Sequence, residues 1–169
     1  MTSPDTDLIL HGERLTLRLP RDGDAEALVA ILAEPDIACW WGANDAESVQ
    51  AELPSCFVIV IGDAVAGWVL FNEETEPGYR HVGLDIMLTA TAQGQRYGRE
   101  ALRLVVDHFA ERGHHRFTID PAVDNERAIR CYAAVGFKSV GVMRNYERVD
   151  DGPWHDGLLM DLLAAELTR

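Results

Sequence analysis

The chain has no apolar run approaching the roughly 18 residues that suggest a membrane span. Its amino terminus, "MTSPDTDLIL", lacks a basic start followed by an apolar segment. Both absences predict a soluble, cytoplasmic protein with no membrane partner. Cysteine is scarce: Cys39, Cys56 and Cys131 are odd in number and show neither metal-ligand nor paired-redox spacing. A disulfide framework and a zinc site are therefore not expected, and the three thiols are expected to be small buried apolar groups. Positive charge is short as well, with 15 Lys and Arg against 28 Asp and Glu and a formal charge of −13. Such a surface repels nucleic-acid phosphates and anionic membranes and attracts cations; it also serves solubility alone. No linker, repeat or low-complexity tract divides the chain. What is present is ordinary globular composition, 169 residues with 47% hydrophobic and 25% charged, enough for one domain over 1–169 with a sizeable core.

The elements follow from periodicity. "ERLTLRLP" alternates Leu15, Leu17 and Leu19 with polar neighbours, as a strand with one buried face does, and Pro20 stops it. "DGDAEALVAILAE" carries Ala25, Leu28, Val29 and Leu32 at helical spacing, and a polar stretch from Asn44 to Glu52 predicts another helix. "CFVIVIGDAVAGWVLFN" reads as a hairpin about Gly62-Asp63. After the acidic turn "EETEPGYR" comes a strand, "HVGLDIMLT", then a helix whose stripe is Leu102, Val105, Val106 and Phe109. "HRFTID" is a strand ended by Pro121. "DNERAIRCYAAVGF" is a short helix capped by Asp124 or Asn125 and stopped at Gly136. "FKSVGVMRNYERV" and "HDGLLMDLLA" close the chain as an antiparallel pair. The order predicts an α/β (α+β) fold in which one strand-helix-strand unit sets parallel strands inside a mostly antiparallel sheet.

The segment between that strand and helix, "QGQRYG", suits an anion. Gly94 permits a tight turn, Gly98 removes a side chain from the first helical turn, and the amides from about Gln95 to Arg99 have no backbone acceptors of their own. Arg96 and Arg99 add charge.

Together, "QGQRYG" and "DNERAIRCYAAVGF" resemble the two acetyl-coenzyme A motifs of the GNAT superfamily of N-acetyltransferases. The first motif matches at Gln93 and Gly98 and departs at Arg96, where glycine is usual. The second is met in full by Asn125, Ala128, Tyr132, Gly136 and Phe137. The resemblance implies the GNAT fold: a mixed, mostly antiparallel central sheet flanked by helices and splayed between "GLDIML" and "FTID", where the pantetheine arm lies. It implies acetyl-coenzyme A as cosubstrate, held by Met87, Leu88, Gln93, Gly94, Gln95, Arg96, Tyr97, Gly98, Arg99 and Asn125, although Asn125 also serves as a plain helix cap. By the same likeness Tyr132 protonates the departing sulfur; packed on the Ala128-Ile129 face, it is equally a core aromatic.

Within the superfamily, "CWWGANDAESV", "EETEPGYRHVGLD" and "TIDPAVDNERAIRCYAAVGF" most closely resemble the aminoglycoside 6′-N-acetyltransferases, which confer antibiotic resistance. This implies an acceptor site from Trp40, Trp41, Glu73, Glu74, Asp85 and Asp120, whose carboxylates would attract a polycationic amine by about 1 kcal/mol each in water. Asp85 or Asp120 would relay the amine's proton or only anchor an ammonium group, with His81 as a third candidate base. Tyr146 and the stretch Asp151 to Asp156 would complete the rim. The α-amine of a ribosomal protein and a lysine-like siderophore amine are rival acceptors, and a non-catalytic acetyl-coenzyme A sensor is a rival of another class. The partners expected are thus a cationic small molecule, no nucleic acid and no membrane, with the chain a monomer or homodimer.

Overall fold

The computed structural model describes residues 8–167. Its elements are β1 (Ile9–His11), β2 (Thr16–Arg18), α1 (Asp24–Leu32), α2 (Pro35–Trp41), α3 (Ala46–Glu52), β3 (Cys56–Ile61), β4 (Ala64–Glu74), β5 (His81–Leu88), α4 (Tyr97–Glu111), β6 (Arg116–Ile119), α5 (Glu126–Val135), β7 (Lys138–Arg148) and β8 (Trp154–Leu163). The strands form a mixed sheet ordered β1-β2-β3-β4-β5-β6-β8-β7. β5 and β6 pair in parallel, whereas β1–β2, β2–β3, β3–β4, β6–β8 and β7–β8 are antiparallel. This is the mixed, mostly antiparallel α/β sheet that the element order predicts. Packing is densest within two groups of the described residues, 8–70 with 86–104 and 71–85 with 105–167.

In the first group, Leu28, Leu32, Ile37, Val49, Val58, Trp68 and Met87 share one buried cluster. Each fully buried side chain of this size contributes roughly 1.5–3 kcal/mol of burial free energy. The helix α2 was not legible in the sequence, since only Ile37 of its seven residues is buried and no period shows. It forms because Pro35 presets its first turn and Gly42, at φ 70°, ends it. One expectation about cysteine is corrected here. Cys56 is buried and Cys131 half-buried, but Cys39 is exposed on this short helix. Gly67, at φ 153°, marks a close approach: a Cβ there would stand 1.9 Å from the Met87 carbonyl oxygen. A bulge between Ile59 and Val60 offsets the β3–β4 pairing beside Gly67, and the Thr89 N–H donates to the Ala66 carbonyl at 2.8 Å. β4 is thereby fixed against the end of β5.

In the second group, α4 ends against the Phe71 ring, 5.1 Å from Phe109, while His114 stands edge-on to Phe109 at 5.5 Å. The α4 stripe behaves as its spacing predicts, with Leu102, Val105 and Val106 at 0% exposure and Phe109 at 3%. α5 starts at Asn125, whose side chain accepts from the Ala128 N–H, and ends at Gly136.

The first group also buries an ion pair. Asp24 accepts from both terminal nitrogens of Arg18 at 2.7 and 2.9 Å, and from the Arg21 N–H at 2.6 Å. Burial pushes the Asp24 carboxyl up, but the hydrogen bonds from Arg18 and Arg21 and their charges outweigh it, so the group lies below its ordinary value. Nearby Cys56 has its thiol pushed up to about 12 by burial and by the charges of Asp24 and Glu52. Because the folded carboxyl is depressed, its stabilisation is present above the unfolded carboxylate value of about 3.9 and is lost as pH falls through the lower folded value. Asp24→Ala leaves Arg18 unpaired and is expected to cost about 3 kcal/mol at pH 7 in urea unfolding, the gap to wild type closing toward pH 3.

Candidate active site

The turn after β5 belongs to the first group and is held by residues distant in sequence. Arg14 donates from its backbone N–H to Glu100 Oε1 at 2.9 Å, from Nε to Glu100 Oε2 at 3.2 Å, and from a terminal nitrogen to the Gln95 carbonyl at 2.9 Å. Its guanidinium also lies 4.6 Å from the centre of the Tyr97 ring. Glu34, at the start of α2, accepts from the Thr89 hydroxyl at 2.6 Å and the Ala90 N–H at 2.7 Å. Gln93 donates to the Leu88 carbonyl at 2.9 Å, while its Oε1 is buried without a partner among the described residues.

This scaffold gives the turn its shape. Gly94 takes φ 74° and Arg96 takes φ 68°, so two left-handed residues precede α4 and its acceptor-free first amides. The departure at Arg96 therefore bears on the backbone. Glycine suits this position because a left-handed backbone costs a side-chain-bearing residue about 1–2 kcal/mol. Arg96 itself is exposed. Trp41, the end of α2, is half-buried and tilted on Trp68 with centroids 6.0 Å apart; Trp40 is half-buried beside it in the chain.

The second group carries the carboxylates and tyrosines. The parallel ladder between β5 and β6 consists of Val82 with Phe117 and Gly83 with Thr118. β6 meanwhile stays paired to β8 over all of Arg116–Ile119. Asp85 and Asp120 thus stand just past the point where the two strands cease to pair, Asp85 exposed and Asp120 half-buried. Tyr132 is 6% exposed; burial first, then the charges of Asp85, Cys131 and Asp120, push its phenol well above the ordinary value. Asp120 accepts from the Tyr146 hydroxyl at 2.7 Å. That bond, with burial and the neighbouring carboxylates, pushes the Tyr146 phenol up to about 12. Burial and the Asp120 charge raise Glu147, which His155 partly offsets.

Other predicted residues have additional occupations. Glu73 Oε1 lies 3.1 Å from Nε2 of the fully buried His114, and Glu74 accepts from the Glu76 N–H at 2.8 Å within the turn. His81 donates from Nδ1 to the Tyr79 carbonyl at 2.7 Å, and Asn125 caps α5. Arg14, Glu34 and Glu147 were missed from sequence: each acts through a partner remote in the chain, and no local spacing announces it. Among the described residues no cluster of His, Cys, Asp or Glu could hold a metal, and no helix is long and apolar enough to cross a membrane.

The second group thus holds a proton-keeping tyrosine near two carboxylates, and the first holds a pinned strand-turn-helix whose open amides suit an anion. Residues 14–138 match the acetyltransferase (GNAT) domain, and the chain belongs to that family, whose acyl donor is acetyl-coenzyme A. Its curated relatives include the aminoglycoside N(6′)-acetyltransferase type 1 of Klebsiella pneumoniae, 29% identical over 83% of this chain and 80% of the relative. Among solved structures, AAC(6′)-Ib in complex with paromomycin and acetyl-coenzyme A has 27% identity and a TM-score of 0.76, covering 93% of this chain and 98% of that one. Mycobacterium smegmatis RimJ in complex with CoA-disulfide has 25% identity and a TM-score of 0.83, covering 98% and 90%.

Arg96→Gly is expected to raise stability by about 0.5–1 kcal/mol, the relieved left-handed strain exceeding glycine's extra unfolded-state entropy. A higher urea midpoint at unchanged m-value checks this.

Proposed function

We propose that this protein transfers an acetyl group from acetyl-coenzyme A to the 6′-amine of an aminoglycoside by direct attack, and so confers resistance. The reading treats residues 1–169 as one catalytic domain of a cytoplasmic enzyme. The observation that carries it is the acidic cluster of the second group, in which Asp85 and Asp120 both act on Tyr132 and Asp120 also acts on Tyr146 and Glu147. Such a cluster suits a polycationic acceptor, because each added ammonium gains Coulomb energy in a partly dry site. Identity to aminoglycoside acetyltransferases over 83% of the chain supports the same acceptor.

Acetyl-coenzyme A fits the residues present. Gly94 and Arg96 shape a turn before the α4 amides that suits pyrophosphate, Arg99 adds charge, and the orphaned Gln93 Oε1 offers an acceptor to a donor group. The thioester supplies the activated acetyl group. Backbone amides at Met87 and Leu88 are the candidate donors toward the carbonyl oxygen. Asp120 or Asp85 anchors the amine and drains its proton, through water where the carboxylate is too weak a base. Tyr132, whose phenol is held protonated, gives its proton to the departing thiolate. Glu74, Trp40 and Trp41 complete the acceptor side. Glu73 belongs to it as well, with its Oε1 3.1 Å from His114 Nε2.

A second reading has its own support. RimL, a ribosomal L7/L12 alpha-N-protein acetyltransferase, shares the fold at a TM-score of 0.81 and 22% identity, so a protein α-amine is the rival acceptor. Coenzyme A release is measured with kanamycin, tobramycin, their 6′-hydroxyl counterparts and a basic peptide with a free amino terminus. Turnover confined to the 6′-amine drugs is expected; turnover of the peptide with inert drugs reassigns the acceptor. Tyr132→Phe is expected to lower kcat about 100-fold while acetyl-coenzyme A Kd changes less than about twofold. Cys131→Ala is expected to keep full activity, because no acetyl-cysteine forms on the direct route.

A further inference from the structure

β7 is paired to β8 in an irregular way. Met143 pairs with Gly157 and Glu147 with His155, so Arg144, Asn145 and Tyr146 stand opposite the single residue Asp156. Asn145 takes φ 48°, a left-handed conformation that needs support in a residue other than glycine. The support is Asp156, whose Oδ1 accepts from the Asn145 N–H at 2.8 Å. Beyond this bulge the Tyr146 ring lies over Gly157, where a Cβ would come within 2.6 Å of Tyr146 Cδ1. The hydroxyl reaches Asp120 Oδ2 at 2.7 Å.

Asp156 also acts at the other end of the same circuit. Its carbonyl accepts from the Val123 N–H at 2.9 Å, and the Leu158 N–H donates to the Pro121 carbonyl at 2.8 Å. Ala122 bridges Gly157 between these bonds. The loop that follows Asp120 is thus stapled to β8 by its backbone, while the Asp120 carboxylate is held from β7 by Tyr146. Tyr146 is 44% exposed, so filling the core does not account for its placement. Bulges next to active sites serve to re-aim one side chain.

We propose that the Asp156-supported bulge of β7 is a latch that presents the Tyr146 hydroxyl to Asp120 and so fixes the direction of that carboxylate toward the acceptor amine. This rests on the acceptor role given to Asp120 above. Tyr146 and Asp156 are positioning residues: the first holds the carboxylate, the second holds the bulge that aims the first. Because they act in series, loss of either has the consequence of losing both.

The test combines kinetics with titration on the full chain. Tyr146→Phe, Asp156→Ala, the double variant and Val142→Thr, on the exposed run of β7, are compared using whichever of kanamycin or the basic peptide the wild type acetylates. Each single variant is expected to lower kcat/KM for the amine about tenfold, with acetyl-coenzyme A Kd within about twofold and Val142→Thr unchanged. The double variant is expected to match the weaker single. A roughly hundredfold multiplicative loss in the double variant, or wild-type kcat/KM in Tyr146→Phe, overturns the latch. NMR titration of ¹³C-labelled tyrosine reads the latch without turnover. Tyr146 is expected to stay protonated at pH 11 in the wild type and to titrate lower in Asp156→Ala; an unchanged titration in Asp156→Ala overturns the role of the bulge. Should the wild type acetylate no amine, the functional reading fails and the titration alone decides the latch.

Discussion

The parallel contact between β5 and β6 ends after Gly83 and Thr118, and the chemistry proposed for the second group depends on that stop. Had the ladder continued, Asp85 and Asp120 would stand on neighbouring paired strands with their backbones consumed by the sheet. Instead β6 is tethered on its β8 side over its whole length and carries Asp120 to a point where it no longer pairs with β5.

Negative charge at such a point has a cost that the fold spreads among several groups. Asp85 and Asp120 act on Tyr132, and Asp120 acts on Tyr146 and Glu147, so the phenols keep their protons firmly and the glutamate is easier to protonate. The tyrosines are thereby donors at any ordinary pH. One donates to Asp120; the other is buried against Phe137 with ring centroids 6.4 Å apart, the packing of a core aromatic, and keeps its proton as the proposed acid role requires. The two readings of Tyr132 are compatible, because burial is what makes its proton hard to lose.

Local patterns carried much of the fold into the sequence. The α4 stripe, the Asn125 cap, the Gly136 stop and both hairpins follow from spacing and turn chemistry acting over a few residues. The two motif segments and their resemblance to a known superfamily gave the family and its acyl donor. Illegible were the supports: Arg14 reaches Glu100 and Gln95 across more than 80 positions, and Glu34 reaches Thr89 and Ala90 across more than 50. Nor did any period mark α2, which buries a single residue, or the bulge of β7, where a left-handed asparagine depends on an aspartate from the next strand. Short-range regularity writes itself into sequence, whereas a polar bond between distant segments leaves no spacing to read.

The same bulge bears on how the molecule avoids itself. β7 closes one end of the strand order, and Val140 and Val142 on it are more than half exposed. A straight eleven-residue edge of this kind is a template on which another chain could add a strand. Register shifts at Ser139–Gly141 and at the Asn145 bulge, with Arg144 and Arg148 beside the latter, interrupt that template, so a feature proposed to aim one hydroxyl also breaks the regular edge on which another strand could add.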